Sequence, residues 1–228
     1  MKRNQFLSYL AAGLGTAALT PLLTACGGGI TGTAPSAETF ATTSVASATT
    51  STTLSPEEVA ALRYMREEEK LARDVYVALY RIWGANVFYQ ISLSETTHTE
   101  TILALLNKYG IADPAAGNAA GVFDDPALQA LYNTLMGMGQ VNFIEGLKVG
   151  ALIEETDIRD INEKKAITHA KDILTVYSHL LCGSGNHLRA FNAQLLMQGV
   201  TYVPQVISQA DWDFLANAPL ETCGGTPN

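Results

Sequence analysis

Basic residues are scarce in this chain, which has 14 Lys and Arg against 22 Asp and Glu and a formal net charge of −8. A surface of this sign repels the phosphate backbone, so no nucleic-acid partner is expected. The sequence also lacks any segment of alternating apolar and polar residues long enough to make a convincing sheet. The expected fold class is therefore all-α.

The N-terminal segment is predicted to be a signal peptide covering residues 1–25. Lys2 and Arg3 supply the positive start, and residues 7–23 are apolar and uncharged. This run is too short, and too broken by Gly and Pro, for a membrane-spanning helix. Its end, Leu23-Thr24-Ala25-Cys26, resembles a bacterial lipobox. That resemblance implies lipidation of Cys26 and anchoring to a membrane on the periplasmic or cell-surface side. The alternative is an ordinary secretory signal followed by an incidental cysteine.

The segment after the lipobox, residues 26–54, is predicted to be a tether. Beyond Cys26 it is dominated by Ala, Ser and Thr, and Glu38 is its only charged residue. A segment of this composition buries too little surface to fold, so it should act as a flexible spacer that packs against nothing. The folded domain is expected to cover residues 55–228.

Cysteine is rare, and the two cysteines that follow Cys26 are Cys182 and Cys223. An exported chain meets an oxidising compartment, where an even pair can form a disulfide. Cys182 lies inside a predicted helix, and its reach to the C-terminal tail does not follow from the sequence. A disulfide and two free thiols therefore both remain open.

Four long amphipathic helices and two short ones are predicted. Ser55 and Glu58 form a capping box around Pro56, which marks the first helix start. Apolar residues then recur at steps of three and four in each long segment. The predicted long helices cover residues 55–83, 86–109, 141–162 and 168–198, and the short ones cover residues 127–136 and a segment capped by Ser208. This pattern predicts a four-helix bundle.

Acidic and histidine side chains interrupt the apolar faces of these helices. An unpaired buried carboxylate is costly, so each needs a metal ion or another cation as a partner. A carboxylate and an imidazole on one helix face, as at Glu95 and His98, can together hold a first-row metal ion. The candidate ligands are Glu69, Glu95, His98, Glu154, Glu155 and His187. Periodicity favours Glu154 over Glu155, and an error of one residue in helix phase would exchange them. His169 and His179 fall off the interior face.

Three of these segments resemble motifs of bacterioferritin and rubrerythrin. Glu69 precedes Tyr76 by seven residues, as in their first-helix motif, and Glu95-Thr-Thr-His98 resembles their second-helix Glu-x-x-His. Ser184-Gly-Asn-His187 resembles their fourth-helix Glu-x-x-His. The stretch from residue 55 to about 200 is similar to a ferritin-like domain of a bacterial and archaeal family of uncharacterised function. The resemblance implies a ferritin-like four-helix bundle with short extra helices.

The same resemblance implies an iron cofactor, as two ions or one, with other divalent metals as alternatives. It implies redox activity toward iron, oxygen or peroxide. The competing hypothesis is a non-catalytic, surface-tethered module that sequesters metal or binds a partner, and a bundle without metal is a third. Whether subunits form a homo-oligomer, and which substrate is used, are left open.

The sequence departs from the ferritin-like pattern at Ser184, where the family has a glutamate. Serine is a poor ligand, so Asp157 and Cys182 are candidate substitutes. Ser184→Glu is expected to restore the motif and raise the iron stoichiometry toward two per chain. The neighbouring Gly183 and Gly185 either allow a close approach to the backbone near His187 or break the helix there.

Overall fold

The computed structural model describes residues 53–224. The predicted signal peptide, Cys26 and nearly all of the predicted tether lie outside the described residues. Within residues 53–224 the protein has six helices and no strand, which confirms the all-α prediction. The helices are α1 (Pro56–Trp83), α2 (Asn86–Tyr109), α3 (Pro126–Gly139), α4 (Phe143–Ile167), α5 (Lys171–Met197) and α6 (Gln209–Asn217). In this part of the chain, no helix combines the length and apolarity needed to cross a bilayer.

The helix ends differ from the predictions chiefly in the second half of the bundle. Helix α4 continues five residues past the predicted end, to Ile167, and α5 begins only at Lys171. Lys164 and Lys165 lie in the last turn of α4, where positive charge is favourable next to the exposed carbonyl groups. Helix α5 is unbroken from Lys171 to Met197, so the predicted alternative of a break near Gly183 is wrong.

The N-terminus of α1 is capped as predicted and is also tied to the opposite hairpin. The Ser55 hydroxyl accepts from the Glu58 amide at 3.2 Å, and the Ser55 amide donates to Glu58 Oε2 at 2.8 Å. The other carboxylate oxygen of Glu58 accepts from the backbone amide of His169 at 2.7 Å. The bond to His169 places the start of α1 beside the turn between α4 and α5.

The four long helices pack as two hairpins. Helices α1 and α2 are joined by the two residues Gly84 and Ala85, and Gly84 adopts a left-handed conformation with φ of 65°. A turn of residues 168–170 joins α4 to α5. The hairpins meet with α1 on α4 and α2 on α5, while α3 packs against α1 and α4 and α6 packs against α5. The four-helix bundle is thereby completed with two short extra helices outside it.

The apolar core is divided into two parts along the bundle axis. One part contains Leu62, Met65, Ile102, Ile161 and Tyr177 with their neighbours. The larger part is formed by residues nearer the opposite end, including Tyr76, Leu79, Phe88, Leu147 and Phe191. Both parts draw side chains from all four long helices. Between the two parts lies a layer of buried polar residues, called the polar layer below. It contains the candidate ligands Glu69, Glu95, His98, Glu154 and His187.

Cys182 and Cys223 form a disulfide, with their Cα atoms 5.6 Å apart. This confirms the paired alternative for these cysteines. The bond fastens the segment after α6 to the middle of α5. It also removes Cys182 as a substitute metal ligand, because its sulfur is already bonded.

Loss of this disulfide should lower the free energy of unfolding. The bond closes a loop with a sequence separation of 41 residues, and constraining a loop of this size stabilises a protein by roughly 2–4 kcal/mol. Cys223→Ser should therefore unfold at lower denaturant concentration than the oxidised wild type, as measured by circular dichroism. The double variant Cys182→Ser/Cys223→Ser should show nearly the same loss. Equal stability of the oxidised and reduced wild type would contradict this role.

Candidate metal centre

Each of the four long helices contributes at least one ligand-type side chain to the polar layer between the two core parts. Helix α1 contributes Glu69, α2 contributes Glu95 and His98, α4 contributes Glu154, and α5 contributes His187. All five are buried, with exposed fractions from 1% to 9%. The structure therefore brings together the residues that interrupt the apolar faces.

Glu69, Glu95 and His98 form the first half of the centre. The Nδ1 atom of His98 lies 2.9 Å from Glu95 Oε2 and 3.2 Å from Glu69 Oε2. One ligand atom from each residue lies within 4.8 Å of the other two. This spacing suits three donors around one metal ion.

The second half consists of Glu95, Glu154 and His187. Nδ1 of His187 lies 2.8 Å from Glu95 Oε1 and 3.5 Å from Glu154 Oε2, and these ligand atoms again lie within 4.8 Å of one another. Glu95 belongs to both halves, with one carboxylate oxygen facing each histidine. The two imidazole rings are stacked, with centroids 5.6 Å apart. The two groups would offer donor atoms to two adjacent metal ions.

Both imidazoles point Nδ1 into the centre because their other nitrogen faces a fixed neighbour. Nε2 of His187 lies 2.9 Å from the Ser94 hydroxyl, on the helix opposite. Nε2 of His98 lies against the backbone of Gly183, where an added Cβ would come within 2.6 Å of it. The prediction that this glycine allows close approach is confirmed, and the group that approaches is the His98 ring.

Asp157 is buried beside Ser184, although it belongs to neither of the two groups whose ligand atoms lie within 4.8 Å of one another. Its Oδ2 accepts a short hydrogen bond from the Ser184 hydroxyl, which also lies 2.9 Å from the Leu180 carbonyl oxygen. Burial raises the pKa of Asp157 well above its usual range, and the nearby Glu69 and Glu154 raise it further. The structure thus places the predicted substitute carboxylate in the interior, one turn from Glu154.

Glu154 and Glu155 have different surroundings although both are buried. Oε1 of Glu154 accepts from the Tyr76 hydroxyl at 2.5 Å. Glu155 instead turns toward the segment before α6, where its Oε2 accepts from the amides of Gln205 and Val206, each at 2.8 Å. The structure therefore places Glu154 in the centre and Glu155 outside it. His169 and His179, which were predicted to fall off the interior face, are exposed.

The close packing of charges shifts the protonation of these groups. Burial raises the pKa of Glu69 to about 7. Burial would also raise the pKa of Glu95, but His98 and His187 outweigh it and hold this pKa below its usual range. Burial lowers the pKa of His187, whereas Glu154 and Glu95 raise it, with a net value of about 10. Without an ion, these shifts favour a protonated His187 and leave Glu69 titrating near neutral pH.

Two residues beside the centre were not found by sequence reasoning. Ser94, which contacts His187, is a single polar residue that periodicity does not distinguish from surface serines. Glu68 is buried at 5% exposure between α1 and α4, although the run Glu67-Glu68-Glu69 has the sequence pattern of a solvated acidic face. Glu68 lines a small cavity together with Thr156 and Asp157, so it faces α4.

The model of the family described as "Uncharacterized protein domain (DUF2202)" matches residues 58–219. The chain belongs to the DUF2202 family. A relative in Methanocaldococcus jannaschii, uncharacterized protein MJ0754, is 42% identical over 168 residues, which are 74% of this chain and 91% of that protein. A crystal structure of hypothetical protein MJ0754 matches this fold with a TM-score of 0.72 at 42% identity. The match covers 74% of this chain and 96% of that chain.

Proposed function

We propose that this DUF2202 protein binds a pair of divalent first-row metal ions, iron in the first place, and is a ferritin-like redox protein acting on iron, oxygen or peroxide. The observation that carries the proposal is the convergence of two carboxylate–histidine groups that share Glu95. Four carboxylates and two imidazoles are the donors that ferritin-like centres use. Glu69, Glu95, Glu154 and Asp157 with His98 and His187 supply that number, so Asp157 compensates for the serine at position 184.

Unsatisfied polar atoms in the centre fit metal binding. Oε1 of Glu69, Oδ1 of Asp157 and Nδ1 of His187 are buried without a hydrogen-bond partner. Nδ1 of His187 is close to two carboxylates, but not in the geometry of a hydrogen bond. Buried polar atoms normally have partners, and a cation among these lone pairs would provide one.

The residues around the donors define what the chain itself contributes. Tyr76 holds Glu154, Ser94 holds His187, and Ser184 holds Asp157, so three of the six donors are oriented by a side chain outside the donor set. Bound iron would supply one-electron chemistry with oxygen species. The two apolar core parts exclude water from both ends of the centre. The chain therefore provides a dry, acidic interior with oriented ligands.

Elemental analysis of protein purified without added metal, followed by anaerobic Fe(II) titration, tests this function. Two ions per chain and oxygen consumption by the loaded protein are expected. Tight metal binding without reaction with oxygen or peroxide would favour the sequestering module. Absence of binding by Fe(II), Mn(II) and Co(II) would overturn the metal proposal.

Metal affinity should rise with pH, because ions must displace protons from the centre. His187, with a pKa of about 10 in the metal-free protein, is protonated at neutral pH. Glu69, with a pKa of about 7, is half protonated at pH 7 and becomes more protonated as the pH falls. Each displaced proton should tighten binding about tenfold per pH unit. Co(II) dissociation constants at pH 6, 7 and 8 check this, with proton release followed by an indicator dye. A pH-independent affinity would contradict it.

We also propose that the chain is exported and anchored through a lipid on Cys26. The sequence pattern of residues 1–26 supports this, and so does the Cys182–Cys223 disulfide, since such bonds persist mainly outside the cytosol. Palmitate should label the wild type and not Cys26→Ser. Equal labelling of the two proteins, or none, would argue against the anchor.

A further inference from the structure

A second group of buried carboxylates lies beside the metal centre, on the side of α3. Glu68 is its central residue, and within residues 53–224 neither of its carboxylate oxygens has a hydrogen-bond donor. Oδ1 of Asp157 is likewise buried without a partner. Three orphaned carboxylate oxygens at one place are unusual, because a buried carboxylate without a donor or a cation is strongly destabilising.

These two carboxylates line a common cavity among α1, α3 and α4. The remaining wall is almost wholly apolar, formed by Leu71, Ala72, Leu131, Leu135 and Ile153 with Thr156. The Thr156 hydroxyl already donates to the Leu152 carbonyl oxygen at 2.8 Å, so it supplies no donor to Glu68. The cavity has room for about one water-sized body, and a divalent ion stripped of its water shell is smaller than that.

The position of the cavity connects it to the centre. Asp157 is shared, since it lines the cavity and also receives the Ser184 hydroxyl beside the candidate ligands. Glu68 and Glu69 are consecutive residues of α1, and both are buried. On the outer side, Asp160 lies near Glu68 but already accepts from the Tyr64 hydroxyl at 2.9 Å and pairs with Arg159 at 2.6 Å.

We propose that Glu68 and Asp157 form a transit position for a divalent cation, from which ions pass into the centre formed by Glu69, Glu95, His98, Glu154 and His187. This inference rests on the proposed metal function and adds a route to it. An ion in the cavity pairs with the orphaned oxygens of both residues. Asp157 then remains a ligand as the ion moves inward, so the ion never loses all of its carboxylate contacts.

Loading of the full-length protein with Co(II) tests the transit position. Binding is followed by the visible absorption of the ion in stopped-flow mixing, and final stoichiometry is measured at equilibrium. Glu68→Gln keeps the shape and removes the charge, and it should slow loading by about tenfold or more while leaving stoichiometry and affinity unchanged. Glu100→Gln, the same change at an exposed position of α2, should load at the wild-type rate.

A second variant tests the route without altering any carboxylate. Ala72→Val adds bulk to the cavity wall and should also slow loading, and it carries the test if Glu68→Gln does not fold. Wild-type loading rates in a folded Glu68→Gln protein would overturn the proposal and indicate that Glu68 merely shares a proton with Asp160. A lower final stoichiometry would also overturn it, because Glu68 would then be a permanent ligand. If the wild type binds no Co(II), Mn(II) or Fe(II), the metal function itself fails and the route fails with it.

Discussion

Glu95→Gln should abolish tight binding of both metal ions. Glu95 is the one candidate ligand that faces both histidines, with Oε2 at 2.9 Å from His98 and Oε1 at 2.8 Å from His187. The amide removes the charge and leaves one oxygen, so neither half keeps its carboxylate–histidine pair intact. We expect affinity to fall by more than about 100-fold at both positions, since even substitutions of supporting residues around a metal cost 10–100-fold. Calorimetric titration with Mn(II) or Co(II) measures this.

The matched control is Glu155→Gln. It makes the same chemical change at a buried glutamate on α4, where the oxygen that accepts from the amides of residues 205–207 can be kept. Metal binding should be unaffected. Circular dichroism should show that both variants remain helical. Two ions bound at wild-type affinity by Glu95→Gln would refute the shared-ligand arrangement. Loss of binding in Glu155→Gln alone would mean that Glu155, and not Glu154, is the ligand on α4.

Ser184→Glu should destabilise the protein rather than improve its metal site. The sequence alone favours the opposite result, because a glutamate would complete the fourth-helix motif. In the structure, however, Ser184 has no exposed surface, and its hydroxyl is hydrogen-bonded to Asp157. A glutamate would bring a second carboxylate against Asp157 in filled space. We expect the free energy of unfolding of the metal-free protein to fall by more than about 4 kcal/mol.

Thermal or urea unfolding of the metal-free protein measures this effect. Ser184→Ala serves as the control, because it removes the hydrogen bond to Asp157 without adding charge or bulk, and should cost about 1–3 kcal/mol. A Ser184→Glu protein with wild-type stability and an additional bound ion would show that position 184 can supply a ligand. In that case Asp157 would not be the substitute for the missing glutamate.

The helical periodicity of the sequence was sufficient to predict the bundle and most of the centre. Glu69 and His187 each interrupt an otherwise regular apolar face, and a residue at such a position is carried into the interior with its neighbours. The resemblance to ferritin-like motifs selected the same residues independently. Both arguments depend on the spacing of residues within one helix, and this spacing is visible in the amino-acid sequence.

Other features depended on contacts between distant segments. Glu154 and Glu155 are both buried. They differ because Glu155 accepts hydrogen bonds from the amides of residues 205–207. The spacing of residues within α4 carries no information about that distant loop. Glu68 is buried because α3 and α4 cover it, and the disulfide required Cys223 to reach α5. Such pairings arise from tertiary packing, which sequence patterns within one element do not encode.

The division of the core has a consequence for motion in this protein. Each apolar part contains side chains from all four long helices, so each end of the bundle is closed without help from the other. An opening confined to one end would therefore leave the contacts of the other end in place. Local openings of this kind cost far less free energy than global unfolding. Hydrogen exchange should consequently proceed separately at the two ends of the bundle while the fold as a whole stays closed.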